Sequence, residues 1–359
     1  MVAIGRTLDR HICARLTAVS SVRTAVAGEV RISGGDSGVR TGVLYNPKAG
    51  GGISASTVFR QLRTFCMGEE LLVTEPETCD LGEPVRSIAP PTGDGSYFGQ
   101  IAARVKALVG AGAEQLICIG GDGTATYILT ALYQIGVTLP VLGIASGTAN
   151  VGPVVSAALD QLTGHRLSDC KEISCDGLAA YMDGRFVSLA FNDLVIGDTF
   201  LATVGGKTCN VSVHELLQNG KLVPKSPEKD LISADFLVEL NGTPVIPAVG
   251  SIQQIVLSSA AMESHYGRAI YGPLGKCDWG DKKGVIALCD HIAVSYEEND
   301  AGTGRFSTMQ YLLFGPDDHV VLRGFSPKAC MICDGNPYLL DSEDIEVRYL
   351  KNLVRVLKI

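Results

Sequence analysis

Several features are missing from the sequence, and their absence excludes whole classes of protein. No apolar run is long enough to span a bilayer, and four charged residues interrupt the first 16 residues, which therefore lack the core of a signal peptide. The 359 residues carry a net charge of −8, and no cluster of lysine or arginine stands out. A surface for nucleic acid or for an anionic membrane is therefore not expected. We expect a cytoplasmic protein.

The patterns of several common catalytic and metal sites are also missing. The 11 cysteines show no disulfide framework, and the six histidines are isolated. Cys330 and Cys333 have CxxC spacing, but without a second pair we interpret them as strand residues that pack. G-x-G-x-x-G, G-x-S-x-G and H-E-x-x-H do not occur. The nearest match to a Walker loop, "VGGKT", has Leu201 where the first glycine belongs, and we interpret it as a hairpin loop.

The chain is long enough for two ordinary hydrophobic cores, and its sequence pattern changes near Gly164. From Gly42 onward, apolar strands alternate with glycine loops and helical patterns, which predicts a parallel sheet covered on both faces. After Gly164, short strand-like runs broken by Gly, Asp-Gly and Asn-Gly predict a mostly antiparallel β domain. We therefore predict an extension of uncertain order over 1–40, a Rossmann-like α/β domain over 41–164 and a β-sandwich-like domain over 165–359. The last segment is a candidate to return to the α/β domain.

Helical spacing is frequent in the predicted α/β domain and scarce after Gly164. Apolar residues recur every three or four positions in each helical segment, and a glycine follows two of these segments. The four predicted helices lie in "SASTVFRQLRTFC", in "SYFGQIAARVKALVGAG", after "GGDGT" and in "GPVVSAALDQL".

Three glycine-containing loops follow strands of the predicted parallel sheet. They are Asn46 to Gly52, Gly120 to Thr124 and Ala145 to Asn150. Ligands bind beyond the carboxyl ends of such strands, where glycine lets the backbone approach phosphate and a helix N-terminus supplies N–H donors. Three loops in one sheet therefore indicate a phosphate site.

Asp122 is the carboxylate inside the second loop. Bound polyphosphate would repel it, so its presence favours a chemical role. It suits a base that accepts the proton of an attacking hydroxyl, or a carboxylate linked to Mg²⁺ on the phosphates. The alternative is that Asp122 only caps the following helix. The residues alone leave these alternatives open.

Three motifs in order, "NPKAGGG", "GGDGT" and "AFNDLVIG", resemble the NAD kinase and diacylglycerol kinase superfamily, most closely its ATP-NAD kinase/AcoX-type branch. The resemblance covers roughly residues 41–359. It implies an α/β domain followed by a β-sandwich domain, with ATP-dependent phosphoryl transfer to a hydroxyl in the cleft between them. It also implies ATP and Mg²⁺ as cofactors, Asp122 as the catalytic residue and, through Asp122, a link to the metal.

Further site residues follow from the resemblance. The nucleotide-binding residues are Asn46, Gly50, Gly51, Gly52, Gly120, Gly121, Gly123, Thr124, Ser146, Gly147 and Thr148. The substrate-binding residues are Asn150, Asn192 and Asp193. The alternative for Asn192 and Asp193 is a turn or bulge between two strand halves.

The identity of the acceptor is the least specified part of the resemblance. The Gly-Ser/Thr-Thr-Ala-Tyr segment of bacterial NAD kinases is missing, whereas "GTAN" at 147–150 resembles a lipid kinase loop. Against a lipid kinase, Val151 and Tyr127 stand where those enzymes have Asp and Glu, and the Asp334-Gly335 turn fits both groups. We expect NAD, another nucleotide or a polyol as acceptor. A diacylglycerol or sphingoid-type lipid kinase and a non-catalytic nucleotide sensor are the alternatives, and we expect a homodimer or higher homo-oligomer.

Overall fold

The computed structural model describes residues 38–47, 54–74, 85–90, 93, 95–146, 150, 152–205, 207–245, 247, 250–259, 284–292 and 308–359. The N-terminal extension predicted over 1–40 lies almost entirely outside these ranges. None of the described helices is long and apolar enough to cross a membrane.

A parallel sheet is formed by the first five strands of the chain. They are β1 (Arg40–Tyr45), β2 (Glu70–Val73), β3 (Val85–Ser87), β4 (Gln115–Gly120) and β5 (Pro140–Ala145). Their spatial order is β3-β2-β1-β4-β5. The three strands β1, β4 and β5 are buried along nearly their whole length, as expected when both faces of a sheet are covered.

Helices cover this sheet on both faces. They are α1 (Ala55–Phe65), α2 (Tyr97–Gly110) and α3 (Asp122–Gln134). Because successive strand residues point to opposite faces, Val43 of β1 packs with α1, whereas its neighbour Leu44 packs with α2 and α3. Three of the four predicted helices are confirmed.

The helices differ in how they begin. Ser54 accepts from the backbone N–H of Thr57 at 3.3 Å and caps α1, and Ser96 accepts from the N–H of Gly99 at 2.9 Å and caps α2. The N-cap of α3 is Gly121, which has no side chain to do this. The first N–H groups of α3 therefore lie at the carboxyl edge of the sheet, and no N-cap side chain accepts a hydrogen bond from them.

The fourth predicted helix, "GPVVSAALDQL", is wrong. This segment forms strand β6 (Val155–Ala158) and one 3₁₀ turn (Leu159–Leu162). β6 pairs in parallel with the second half of β5, where it satisfies backbone groups of that strand. Pro153 favours extended backbone just before this point, and adjacent valines favour a strand over a helix.

The β-rich half adds strands to the same sheet and builds a second one. The strands added to the large sheet are β7 (Lys171–Met182), β8 (Arg185–Ala190), β12 (Ile232–Leu240), β13 (Thr243–Val245), β17 (His319–Phe325) and β20 (Asp344–Lys358). The second, six-stranded antiparallel sheet contains β9 (Leu194–Gly197), β14 (Gln254–Ser259), β15 (Gly284–Cys289), β16 (Met309–Phe314), β18 (Cys330–Cys333) and β19 (Asn336–Leu339). This confirms the predicted fold class, an α/β part with a parallel sheet followed by a β-rich part.

The long strand β20 joins the two parts. It pairs antiparallel with β7 and β17, and its far end pairs in parallel with β5 through Arg355 and Val356. One sheet of 12 described strands therefore runs through both parts. The boundary between residues 164 and 165 stays a prediction.

The chain changes sheets at residues 191–193. β8 lies in the large sheet, and β9, which follows directly, lies in the six-stranded sheet. Between the sheets, Leu178, Tyr349 and Leu257 belong to one buried apolar cluster. The segment Phe191–Asp193 is therefore a crossover between two sheets, fixed at both ends by a packed core.

Two minor predictions are confirmed in this half. The "VGGKT" segment connects the hairpin strands β10 (Thr199–Val204) and β11 (Lys207–Ser212), which the short helix α4 (Val213–Asn219) follows. Cys330 and Cys333 are both buried on β18, but they belong to different apolar clusters. They therefore pack separately and do not form a paired thiol site.

Candidate active site

The carboxyl ends of β1, β4 and β5 bring the predicted loops to one edge of the sheet. Asn46 follows β1 directly, and its Nδ2 donates to Oγ1 of Thr124 at 2.9 Å. The backbone N–H of Ser146, after β5, donates to the carbonyl of Gly120 at 3.0 Å. The described parts of all three loops are therefore neighbours. The predicted residues Gly50, Gly51, Gly52, Gly147 and Thr148 lie outside the described residues.

Two glycines of "GGDGT" allow close approach. A Cβ on Gly121 would lie 3.3 Å from Oδ1 of Asn150, and a Cβ on Gly123 would lie 2.8 Å from Oδ1 of Asn336. Neither glycine has positive φ, so the backbone conformation would allow another residue. The close approach of the neighbouring atoms is what favours glycine here. A larger residue at Gly123 would push away the strand that carries Asn336.

Asp122 is the first residue of α3, and Gly121 holds the N-cap position. Asp122 Oδ2 accepts from the backbone N–H of Gly152 at 2.9 Å, and a Cβ on Gly152 would lie 2.9 Å from Asp122 Oδ1. The carboxylate is thus held against a different loop of the chain. The capping position predicted as an alternative is not the one that Asp122 occupies.

Asp334 links the two parts of the chain at this site. It lies in the two-residue turn between β18 and β19, where Asp334 and Gly335 both have positive φ, as a type I′ turn requires. Its Oδ2 accepts from the Thr126 hydroxyl of α3 at 2.5 Å and from the N–H of Phe191 at 2.8 Å. Its Oδ1 accepts from the N–H groups of Asn192 and Asp193 at 2.8 and 3.0 Å.

This turn brings the predicted acceptor pair to the glycine loop. Beside the Asp334 contacts, Nδ2 of Asn336 donates to the carbonyl of Gly123 at 2.8 Å. Asn192 and Asp193, from the crossover between the sheets, are therefore fixed next to the start of α3. The segment is a break between two strands, as the alternative predicted, and a binding role for Asn192 and Asp193 stays a prediction.

The side chains of the pair also contact each other. Nδ2 of Asn192 donates to Oδ2 of Asp193 at 2.9 Å. Asn192 is 93% buried, and its Oδ1 has no hydrogen-bond partner among the described residues. A buried carbonyl oxygen without a donor is costly, so this atom marks a position for a donor from a ligand or water.

A cavity of about 110 Å³ opens beside Asn46 and Thr124. Its lining combines apolar side chains with polar side chains from α2, among them Tyr97 and Arg104. The Tyr97 hydroxyl hydrogen-bonds to Thr124 and Asn46, and burial raises its pKa above the ordinary value. Such a mixture of apolar wall and few polar groups is typical of small-molecule sites.

Burial also shapes the electrostatics of the site. It raises the pKa of Asp334, while the hydrogen bonds from Thr126 and from three backbone N–H groups act in the opposite direction. Below the loop, burial and the nearby charge of Asp122 raise the pKa of Cys118 to about 12, so this thiol is not a nucleophile at neutral pH.

The described residues form no coordination site for a metal made of protein side chains alone. No group of three His, Cys, Asp or Glu side chains among them is arranged to hold one. Mg²⁺ carried on nucleotide phosphates needs only one or two protein carboxylates, because the phosphates and water supply the other ligands. Asp122 in the first turn of α3 fits that requirement.

Sequence reasoning missed four residues of the site. Asp334 and Asn336 were visible only as an Asp-Gly turn and the residue after it, and Gly152 fell in a segment predicted as a helix. Tyr97 had no signal beyond its place at the start of a helix. All four act across long distances in sequence, which a local pattern does not reveal.

Comparison with known proteins gives consistent matches. Residues 40–157 match the diacylglycerol kinase catalytic domain. An uncharacterized protein of Archaeoglobus fulgidus is 27% identical over 333 residues, which cover 89% of this chain and 98% of the relative.

Solved structures share the fold across most of the chain. The NADH kinase of yeast, in complex with NADH, superposes with a TM-score of 0.50 and 12% identity, covering 89% of this chain and 83% of the other. A putative diacylglycerol kinase of Bacillus anthracis superposes with a TM-score of 0.51 and 13% identity, covering 91% and 99%. These identities are low enough that the likeness concerns the fold alone. The catalytic-domain match over 40–157 and the shared fold confirm the predicted resemblance to the NAD kinase and diacylglycerol kinase superfamily.

Proposed function

We propose that the protein is an ATP-dependent phosphotransferase that moves the γ-phosphoryl group of ATP to a hydroxyl of a small molecule, and that this acceptor is NAD or a related nucleotide. The observation that carries the proposal is the Asp334 turn. Through it, the pair suited to an acceptor, Asn192 and Asp193, is fixed beside the loop suited to phosphate. A phosphotransferase requires donor and acceptor to be held together in this way.

The glycine loop and α3 supply the donor end of the site. Helix N-termini favour anions, because their first N–H groups have no partner within the helix and carry partial positive charge. Gly121 at the N-cap leaves this end of α3 open to a phosphate. The cavity beside Asn46 and Thr124 is the right kind of space for part of a nucleoside.

Asp122 supplies the base. Its carboxylate is oriented by the N–H of Gly152, so it has a fixed position from which to accept the proton of the attacking hydroxyl. When bound, Mg²⁺ would neutralise charge on the phosphates. Asp122 is the carboxylate that would link this metal to the protein. Phosphoryl transfer relies mainly on positioning and electrostatics, which these contacts provide.

The acceptor pair supports a nucleotide. The Asn192 amide can donate and accept hydrogen bonds, and the Asp193 carboxylate can accept them. This combination suits ribose hydroxyls or the edge of a base. The unsatisfied Oδ1 of Asn192 is a place for one such donor.

ATP consumption tests this proposal directly. Purified protein is incubated with ATP and Mg²⁺ against NAD, NADH, a diacylglycerol dispersion, and pooled sugars and nucleosides. The variant Asp122→Asn is measured alongside Asp160→Asn, a matched control that removes an exposed carboxylate of the same half. We expect NADP formation that falls by about 10²–10⁴ in Asp122→Asn and is unchanged in the control.

A lipid kinase is the second candidate function, and the diacylglycerol kinase match over residues 40–157 favours it. A small cavity of about 70 Å³ with an almost wholly apolar lining, including Val238 and Leu312, lies in the β-rich half. Phosphorylation of the diacylglycerol dispersion with NAD inert would replace the first candidate by the second. ATP binding without turnover of any acceptor would favour a sensor over both.

A further inference from the structure

A lysine from the far end of β20 reaches the loop that holds Asp122. β20 pairs with β7 on one side and with β5 on the other, and Lys358 at its end contacts the segment that leads into β6. Nζ of Lys358 donates to the carbonyl of Pro153 at 2.6 Å. The contact joins two segments about 200 residues apart in sequence, so it depends on the folded sheet.

The residue before Pro153 is the one that touches the candidate base. Gly152 N–H donates to Asp122 Oδ2, and a Cβ on Gly152 would displace the carboxylate of Asp122. Pro153 has a fixed φ and disfavours helical backbone at Gly152. The Gly152–Pro153 unit therefore has two hydrogen bonds: the N–H of Gly152 donates to Asp122, and the carbonyl of Pro153 accepts from Lys358.

A second bond fixes the same strand end. Oγ of Ser156 donates to the carbonyl of Leu357 at 2.9 Å, so a second hydrogen bond joins β6 to β20 beside the Lys358 contact. Burial lowers the pKa of Lys358, while the nearby carboxylate of Asp122 acts in the opposite direction. The hydrogen bond to Pro153 thus holds a half-buried ammonium near the candidate base.

We propose that Lys358 is a positioning residue: it holds the Gly152–Pro153 unit in place and thereby fixes the carboxylate of Asp122. The catalytic part of this inference rests on the proposed function, whereas the structural part does not. Lys358 itself is not assigned any contact with substrate.

Hydrogen exchange tests the structural part without any substrate. The variants are Lys358→Met, which removes the charge and keeps the length, Lys358→Arg, which keeps the charge, and Lys351→Met, a control on an exposed position of the same strand. In peptides that contain Gly152, we expect exchange to become at least about tenfold faster in Lys358→Met. It should stay near the wild-type rate in Lys358→Arg and in Lys351→Met. Unchanged exchange in Lys358→Met would overturn the proposal.

Turnover tests the catalytic part. Small displacements of a reacting group cost up to about 10²-fold in rate, so kcat of Lys358→Met should fall by about 10–100-fold. The KM for ATP should change less than about twofold, because the donor loop keeps its own contacts, and Lys358→Arg should recover most of kcat. A general loss of folding would instead lower the melting temperature and change both constants.

The two proposals fail in different ways. Faster exchange at Gly152 with normal kcat in Lys358→Met would refute the positioning role, although the phosphotransferase would stand. A wild-type protein that turns over no acceptor would refute the proposed function, and the exchange result would still decide whether Lys358 holds the loop.

Discussion

Replacement of Asp334 by asparagine is the most informative perturbation of this fold. Both carboxylate oxygens are in use: one accepts from Thr126 and Phe191, and the other from Asn192 and Asp193. Asparagine keeps one acceptor oxygen and turns the other position into an amide donor. At least two donors then face a group that cannot accept from them.

The magnitude follows from those contacts. Hydrogen bonds to a charged group contribute about 1.5–3 kcal/mol each, so losing two costs about 3–6 kcal/mol. Two effects reduce this. The Thr126 hydroxyl can rotate and accept from the new amide, and asparagine removes a charge whose burial is unfavourable. We therefore expect Asp334→Asn to lower the free energy of unfolding by about 2–4 kcal/mol.

Urea unfolding followed by circular dichroism measures this difference, with Thr126→Val as the matched control. That variant removes a single hydroxyl from the same cluster and should cost about 1–2 kcal/mol. The double variant tests the coupling, because Thr126 and Asp334 share a hydrogen bond and their effects should not add.

A loss below about 1 kcal/mol for Asp334→Asn would refute the reasoning. It would mean that the carboxyl group is already protonated in the folded protein and that asparagine reproduces its hydrogen bonds. The turn would then still connect the two parts, but not through an ionised acceptor.

Three further outcomes are expected. Gly152→Ala places a methyl group against Asp122 Oδ1, so phosphotransfer should fall by about tenfold or more while the melting temperature changes little; equal activity would show that the loop adjusts freely. Asn336→Leu leaves the carbonyl of Gly123 without its donor and should lower the free energy of unfolding by about 1–3 kcal/mol, measured by urea unfolding, with no loss indicating that water replaces the amide. Burial raises the pKa of Cys333 well above the ordinary value, so iodoacetamide should not label it at pH 8 until the protein is unfolded, and rapid labelling of the native protein would contradict the packed state.

The sequence was sufficient for the elements with strong periodicity. The three helices of the α/β part were predicted because each has a clear apolar face, and β1, β4 and β5 were predicted because each is a short apolar run that leads into a glycine-containing loop. The segment from Gly152 to Leu162 was predicted wrongly, since its few apolar residues suit a short helix and a strand equally well. What decided the outcome was the unpaired half of β5, which is a property of the assembled sheet.

The same limit applies to the candidate site. The three loops after β1, β4 and β5 could be placed together because parallel strands end at one edge. Asp334 could not be selected, because an Asp-Gly pair is ordinary turn chemistry and its four donors come from segments about 140 to 210 residues away in sequence. Tertiary contact, not local pattern, makes it part of the site.

The position of β20 in the large sheet has a consequence for synthesis of the protein. A ribosome releases β5 long before β20, so the nascent α/β part waits with half of one strand edge exposed. β6 covers only the other half of that edge in the meantime. The α/β part therefore cannot complete its own sheet during translation, and a chain interrupted before β20 would be left with an unpaired edge, open to pairing with other chains or to recognition by chaperones.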